Sequence, residues 1–258
     1  MDPMTWMPSF ARLWFPTGRV RRVWRGPLAG MRFVVMPGMG ATYALGQDHW
    51  HFPVFQQHLR PGMTVFDVGA NCGQTALFFS RQTGPQGKVH AFEPVPQNAA
   101  VLRRNMELNH GTNVEVVEAA VAADTQSRAF CFDAGHHTMG TLEGAMVKLE
   151  AWQTTLEVTC VTLDDYVDEG ARRPDLIKID VEGSGLGVIE GAARLLETHR
   201  PMIYFELHAA DAESPELKAV TMLRERWAYE ITDLNGTLSG PYGSMWGGAV
   251  WCSPPATR

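Results

Sequence analysis

The chain has 258 residues, of which 45% are hydrophobic and 19% are charged, and its net charge is −6 at pH 7. These values fit one globular α/β domain with a short extension, and no apolar run approaches the roughly 20 residues that a transmembrane helix needs. Acids dominate outside the first 32 residues, which argues against a nucleic-acid-binding surface because such a surface needs clustered cations.

The N-terminal residues and the cysteines indicate where the protein works. The first thirty residues lack the apolar core and cleavage site of a secretory signal. The four cysteines are scattered and have no C-x-x-C spacing. This usage is typical of a reducing compartment without a disulfide framework. We therefore expect a cytoplasmic protein.

Residues 1–60 are predicted to form an N-terminal extension that caps the substrate side of the main domain. Residues 1–32 contain six arginines and the single acid Asp2, which leaves 16 basic and 27 acidic residues in the remainder. Aromatic residues are interleaved with the arginines. Such a segment suits an anionic substrate, a lipid surface or a partner. The alternative is an arm that packs on its own domain or on a second subunit of a homodimer.

The stretch 63–94, MTVFDVGANCGQTALFFSRQTGPQGKVHAFEP, predicts a strand, a glycine turn, a helix and a second strand. Gly69 and Gly73 allow backbone conformations and close ligand approach that a Cβ would obstruct. The helix near 73–82 then opens with free N–H groups. Glu93 follows the turn by about 20 residues, where an acid binds ribose hydroxyls. The arrangement is typical of a nucleoside-cofactor site.

Two cofactors use this arrangement. A nicotinamide site has the pattern G-x-G-x-x-G, but Asn71 and Gln74 occupy the second and third glycine positions here. Sites for S-adenosylmethionine (SAM) tolerate G-x-x-x-G and usually carry an acid two residues before the first glycine, as Asp67 does. The sequence therefore favours SAM, and a nicotinamide-dependent oxidoreductase is the alternative. The remaining alternative is a tight turn that binds no ligand, in which Asp67, both glycines and Glu93 would occur together by chance.

Strand and helix patterns alternate from residue 62 onward, which predicts a mostly parallel sheet with helices on both faces. Further strands are expected near 114–118, 176–180 and 202–207, and further helices near 96–109, 185–197 and 214–227. An insertion at about 127–161 contains two strand-like segments around a loop that carries His136 and His137. A terminal hairpin, 229–233 and 245–251, would add an antiparallel edge.

Three longer phrases resemble FkbM-type methyltransferases: VFDVGANCGQTALFF, AFEPVPQNAAVLRRNMELN, and LDDYVDEGARRPDLIKIDVEGSGLGVIEGA followed by RPMIYFELH. The resemblance covers roughly residues 60–210. It implies an α/β class I methyltransferase (Rossmann-like) domain over 61–258, with a seven-stranded sheet whose last strand is antiparallel. It also implies SAM-dependent methylation of a hydroxyl on a natural product or sugar. Ser184-Gly185-Leu186 departs from the family, which usually has an acid two residues after VEG. A partner-binding domain without catalysis is a further alternative on this fold.

Ligands of open α/β sheets bind outside the carboxyl ends of the strands, where this chain places its unusual polar residues. We expect the glycine turn to hold the methionine portion of SAM, Glu93 to bind the ribose, and Ala119 to contact the adenine edge. Asp180 is expected to contact the SAM amino group, and Glu182 to cap the next helix. The predicted cofactor residues are Asp67, Gly69, Ala70, Asn71, Gly73, Glu93, Pro94, Asn98, Ala119 and Asp180.

Methyl transfer to a hydroxyl needs a base, and the product is S-adenosylhomocysteine. His208 is the candidate because an unperturbed histidine has a pKa of about 6.5. Glu206, on the same strand face, would orient the imidazole, and Asp180 lies at the same sheet edge. His208 as a strand-end histidine bonded to backbone is the alternative. The acceptor, a small molecule or glycan, is expected to meet Glu182 and the loop residues His136 and His137.

A metal site is an alternative use of the same acids. Asp180 and Glu182, with Glu206 or His208, could form an oxygen-rich Mg²⁺ site that polarises the acceptor hydroxyl. The sequence does not favour this, because methyl transfer from a sulfonium needs no Lewis acid and Gly185 stands two residues after the VEG phrase, where the family usually has an acid.

Overall fold

The computed structural model describes residues 17–36, 51–132, 140–142, 154–208, 214–234 and 248–255. Its strands are β1 (Val20–Arg22), β2 (Arg32–Val34), β3 (Thr64–Val68), β4 (Lys88–Phe92), β5 (Val114–Val117), β6 (Ala120–Val121), β7 (Arg128–Phe132), β8 (Gly140–Leu142), β9 (Thr154–Val158), β10 (Cys160–Val161), β11 (Leu176–Ile179), β12 (Met202–Leu207), β13 (Glu230–Asp233) and β14 (Gly248–Ser253). Its helices are α1 (Phe52–His58), α2 (Gln74–Thr83), α3 (Pro96–Leu108), α4 (Leu163–Asp168), α5 (Gly185–Glu190), α6 (Ala193–Thr198) and α7 (Pro215–Trp227).

Seven strands form the central sheet in the order β13-β14-β12-β11-β3-β4-β5. Strand β14 is antiparallel to β12 and β13, and the other neighbouring pairs are parallel. The predicted mostly parallel sheet with an antiparallel last strand is therefore confirmed. From β3 the chain builds outward through β4 and β5, and it then returns to place β11 on the other side of β3. This reversal opens a crevice at the carboxyl ends of β3 and β11.

The sheet is buried on both faces because its central strands are continuous apolar runs. Successive side chains alternate between the faces, so Val65 packs on the face covered by α1, α2 and α3, whereas Phe66 packs on the face covered by α4 to α7. The first cluster also takes in Val23, Leu28 and Phe33. The described part of the N-terminal segment therefore shares the main core, while its role as a substrate cap stays a prediction. Within the described ranges, no helix is long and apolar enough to cross a bilayer.

The helix predicted over 185–197 is wrong in one respect, because the chain breaks it into α5 and α6. A Cβ on Gly191, between the two, would lie 2.1 Å from the carbonyl oxygen of Ala122. Asp164 then caps the second helix by accepting the backbone N–H groups of Arg194 (2.9 Å) and Leu195 (2.8 Å). Helices α1 and α4 were not predicted from the sequence.

The insertion forms its own three-stranded antiparallel sheet in the order β8-β7-β9. Its two predicted strands are confirmed as β7 and β9, and Thr141 Oγ1 in β8 lies 2.9 Å from Ser184 Oγ in the loop after β11. His136 and His137 lie outside the described residues. The predicted terminal hairpin is confirmed as the antiparallel pair β13 and β14, and residues 245–247 of the predicted second strand lie outside the described residues.

Candidate active site

The turn after β3 depends on residues with positive φ angles: Gly69 (78°), Asn71 (50°) and Gly73 (90°). A Cβ on Gly69 would lie 1.8 Å from the Asp180 carbonyl oxygen, and one on Gly73 would lie 2.9 Å from Leu102 Cγ. Both glycines are thus required by contacts inside the protein. The Cβ that Gly73 lacks would face α3, and its contact with the cofactor stays a prediction. Gly69 borders the cavities described below.

Asp67 supports this turn from beneath. Its carboxylate is fully buried; Oδ2 accepts a hydrogen bond from Thr75 Oγ1 (2.6 Å), and Oδ1 lies 3.3 Å from Lys178 Nζ. Lys178 Nζ also donates to the Gly69 carbonyl (2.9 Å) and lies 3.1 Å from Asp180 Oδ2. Asp67 therefore acts on the turn through α2 and Lys178, and its part in cofactor binding stays a prediction. Ala70 is likewise buried, and its N–H donates to the Phe92 carbonyl (3.0 Å).

Glu93 joins the ends of two strands to helix α3. Its Oε2 accepts from Asn71 N (2.9 Å), and its Oε1 accepts from Val95 N (3.0 Å) and Asn98 Nδ2 (3.2 Å). These bonds use three of the roughly four acceptor positions of a carboxylate and leave one on Oε2. Burial raises the pKa of Glu93 to about 7, against the hydrogen bonds, which lower it. Asn98 thus contacts Glu93, and its expected role at the ribose would act through that carboxylate.

Two adjoining cavities open at the carboxyl ends of the strands. The first, of about 50 Å³, is apolar, and the second, of about 200 Å³, is polar; Gly69, Phe130 and Gly140 border both. Further lining of the apolar cavity comes from Phe92, Pro94, Ala119, Leu142 and Val181. The predicted residues Asn71, Glu93, Asn98, Asp180, Glu182, Glu206 and His208 all line the polar cavity. The structure therefore brings together most of the predicted site.

His208 is surrounded by carboxylates. Its Nε2 lies 3.4 Å from Asp180 Oδ1 and 3.6 Å from Glu182 Oε2, and its Nδ1 lies 3.6 Å from Glu216 Oε1. The buried Glu216 also accepts the backbone N–H groups of His208 (2.6 Å) and Gly183 (3.1 Å). It thereby fixes the position of His208 and the VEG turn together.

The acids in this cavity divide into two electrostatic groups. Burial alone would raise the pKa of Asp180, but Lys178 and His208 outweigh it and hold that pKa well below its usual range. Burial and the charge of Asp180 raise the pKa of Glu182 to about 7 and that of Glu206 to about 8. Burial would lower the pKa of His208, yet the surrounding carboxylates of Asp180, Glu216 and Glu182 raise it well above its usual value.

Two expected roles are corrected by this geometry. Glu182 does not cap α5, because the helix begins after Ser184 and the Glu182 carboxylate turns toward His208. Asp180 and Glu216 lie against the imidazole in the position expected for Glu206, whose carboxylate makes no hydrogen bond or ion pair within the described part of the chain. The sequence contains no signal for the role of Glu216, because its helix carries no site motif. Lys178 had a signal, namely a charge inside an apolar strand.

Three of these residues have the spacing of a metal site. Asp180, Glu182 and His208 each offer one ligand atom, and these atoms lie within 4.8 Å of one another, whereas Glu206 is not part of the group. Mg²⁺ prefers oxygen ligands alone. The histidine nitrogen and the ammonium of Lys178 beside Asp180 both disfavour that ion here.

The sheet order and the crevice at the reversal of strand order define a class I methyltransferase fold. The methyltransferase FkbM domain model matches residues 67–231, and the chain belongs to that family. It is 30% identical over 188 residues to the 31-O-demethyl-FK506 methyltransferase FkbM of Streptomyces tacrolimicus, covering 63% of this chain and 72% of the relative. It is 28% identical over 180 residues to the hexuronic acid methyltransferase AglP of Haloferax volcanii, covering 66% of each.

Among solved structures, the methyltransferase FkbM of Methylobacillus flagellatus KT is similar, with a TM-score of 0.50 and 19% identity. The similarity covers 78% of this chain and 50% of the other, so this chain spans half the length of that protein. At this identity the likeness shows the fold. The predicted family and fold class are thus confirmed.

Proposed function

We propose that the protein is a SAM-dependent O-methyltransferase that acts on a hydroxyl of a small-molecule natural product or a sugar. The observation that carries the proposal is the pairing of an apolar slot with an acidic, histidine-containing cavity at the carboxyl ends of β3, β4, β11 and β12. Two relatives are named for such acceptors, one for 31-O-demethyl-FK506 and the other for hexuronic acid. We also propose that it works in the cytoplasm, which suits its four free cysteines.

The lining residues suit SAM by their chemistry. Phe92, Pro94 and Ala119 would enclose the adenine, the remaining acceptor position of Glu93 would take a ribose hydroxyl, and Asp180 would face the amino group. When bound, SAM supplies a methyl group carried by a positively charged sulfur. The polar cavity suits that charge because the acidic side chains that line it, Glu93, Asp180, Glu182 and Glu206, outnumber its basic ones.

The protein's contribution to methyl transfer would be positioning and proton removal. The side chains that line the polar cavity would hold the acceptor hydroxyl in the geometry that the reaction needs. Orientation of this kind lowers the activation free energy by several kcal/mol. We propose that His208 Nε2 accepts the hydroxyl proton when the imidazole is neutral. Glu216, beside Nδ1, would fix the neutral ring, and Asp180, beside Nε2, would stabilise the imidazolium that forms. Glu182 and Glu206 are the alternative proton acceptors, because their raised pKa values suit a base near neutral pH.

The test of this function is mass spectrometry of products after incubation of the full chain with methyl-labelled SAM and a panel of sugars, polyketides and modified peptides. Transfer of the label to an acceptor oxygen supports the proposal. Calorimetry with SAM and fluorescence titration with NADH separate the alternatives. NADH binding without SAM binding would indicate an oxidoreductase, and binding of neither would indicate a partner-binding domain.

Replacing Glu93 with alanine is expected to weaken SAM binding by about 1 to 3 kcal/mol, because ligand and loop donors lose their acceptor in a buried site. The loop groups Asn71 N, Val95 N and Asn98 Nδ2 lose it too, so the midpoint of thermal unfolding should also fall. Calorimetry at a temperature where the variant stays folded isolates the binding term. Glu107→Ala, an exposed acid on α3, is the control. Unchanged SAM affinity in Glu93→Ala would remove Glu93 from the site.

Removal of divalent metal is expected to leave turnover nearly unchanged. The proposed chemistry needs no Lewis acid, and a nitrogen ligand and the Lys178 ammonium adjoin the Asp180–Glu182–His208 group. Initial rates are compared in excess EDTA, after dialysis, and with added Mg²⁺ or Mn²⁺. Loss of turnover in EDTA with recovery on metal addition would contradict this expectation and assign the three residues to a metal.

A further inference from the structure

The β1–β2 hairpin concentrates positive charge on an otherwise acidic protein. Residues 17–36 contain five arginines and no acid, so the rest of the chain carries a net charge of −11. All five are exposed: Arg19, Arg21, Arg22, Arg25 and Arg32. Within the described ranges, Arg19, Arg22, Arg25 and Arg32 form no ion pair. The proposed methyl transfer does not use this surface.

The hairpin is fixed to the body, so its exposed arginines keep a defined place on the surface. Val23, Leu28 and Phe33 are buried in the main core. Asn109 on α3 pairs with the Arg32 backbone through two hydrogen bonds (2.8 and 2.7 Å), and Asn105 Oδ1 accepts Val34 N (2.8 Å). The segment therefore packs on its own domain and leaves its arginines exposed.

The same hairpin carries exposed apolar side chains. Among the described residues, the exposed large hydrophobics are Val20 (38%) and Trp24 (63%), and both belong to this segment. Surfaces that bind at the headgroup level of a bilayer combine arginine with exposed tryptophan. The amphipathic tryptophan ring lies at the boundary between headgroups and acyl chains, and the arginines contact the lipid phosphates. The apolar and cationic features thus occur together in one short surface segment.

We propose that the hairpin face, defined as residues 17–36, docks the protein on anionic phospholipid bilayers. A bilayer is a plane and meets one face of a protein, so the acidic remainder can point away from it. A nucleic acid or a large acidic protein would follow more of the surface and meet the carboxylates there. Arginines near an anionic leaflet each change the partition coefficient about five-fold. The proposal is independent of the methyltransferase reaction.

The test is co-sedimentation of the full chain with vesicles of phosphatidylcholine alone and of phosphatidylcholine with phosphatidylserine. We expect binding to the anionic vesicles only, weakening as salt rises. Arg19→Glu/Arg25→Glu should lower the partition coefficient by about a hundred-fold or more, since four charge units change. The milder Arg19→Gln/Arg25→Gln variant should lower the partition coefficient by about twenty-fold. It keeps the test possible if the glutamate variant does not fold. Arg173→Glu/Arg224→Glu, two exposed arginines elsewhere, is the matched control.

Four results would overturn the proposal. The first is equal binding to neutral and anionic vesicles, and the second is equal loss in the hairpin and control variants. The third is a homodimer, detected by light scattering, that the hairpin substitutions dissociate, together with no vesicle binding by the wild-type protein. That result would assign the face to a second copy of the chain. Tight binding of single-stranded DNA without vesicle binding would likewise replace the lipid with a nucleic acid.

Discussion

Replacing Lys178 with methionine should lower the free energy of unfolding by about 3 to 5 kcal/mol, the usual cost of removing one partner from a buried ion pair. The Lys178 side chain is buried, and its ammonium lies 3.3 Å from Asp67 Oδ1 and 3.1 Å from Asp180 Oδ2 while donating to the Gly69 carbonyl. Methionine keeps the packing volume and removes the charge. Asp67, which is fully buried, is then left with an uncompensated carboxylate.

Urea unfolding at pH 7 measures this effect. Lys88→Met is the matched control, because Lys88 pairs with the exposed Glu115 and an exposed pair contributes about 1 kcal/mol or less. Adding Asp67→Asn to Lys178→Met should restore part of the loss, and the double-mutant cycle gives the coupling between the two groups. A loss below about 1 kcal/mol in Lys178→Met would contradict the role of Lys178 as the buried counterion.

The pH dependence of this loss has a definite sign. The folded pKa of Asp180 is depressed, so its paired carboxylate contributes stability above the unfolded pKa of about 3.9, and this contribution is lost as the pH falls through the folded pKa. The variant lacks the lysine that depresses that pKa. The difference between wild type and Lys178→Met should therefore shrink as the pH falls below about 4.

Local signals in the sequence predicted the half of the site that local structure builds. The turn from Asp67 to Gly73 and the acid Glu93 occur within one strand-helix-strand unit, where spacing alone places them at one sheet edge. Even there, the sequence did not reveal that Gly73 faces Leu102, because the packing partner lies on the next helix. The sequence thus predicted that glycine is needed at position 73, but it did not predict the packing contact that requires it.

The other half of the site depends on contacts between distant segments. Glu216 lies 33 residues from Gly183 and 8 from His208, and its carboxylate joins both backbones. No periodicity or motif in α7 indicates this role. Phe130 reaches the cavity because the insertion folds back over the strand ends, a tertiary arrangement that alternation within β7 could not specify.

Replacing His208 with alanine is expected to lower kcat by about 10² to 10⁴ while SAM affinity stays within a few-fold. The proposed base acts on the acceptor proton, whereas SAM would be held by Glu93, Asp180 and the apolar slot. Steady-state rates and calorimetry on the same preparation separate the two effects. His199→Ala, a half-buried histidine that ends α6, is the control. A near-normal kcat in His208→Ala would contradict the assignment of His208 as the base. The candidates to test next would be Glu182, Glu206, His136 and His137.

The pH profile distinguishes a base from a structural histidine. Neighbouring carboxylates raise the pKa of His208, so the neutral imidazole that accepts a proton becomes scarce as the pH falls, and the wild-type rate should drop with a midpoint above about 6.5. Glu182→Gln removes a negative charge 3.6 Å from Nε2, which destabilises the imidazolium and should move the midpoint to lower pH. If Glu182 were itself the base, the same variant would lose most of its kcat instead. A midpoint that stays fixed in an active Glu182→Gln enzyme would mean that neither group controls the proton transfer.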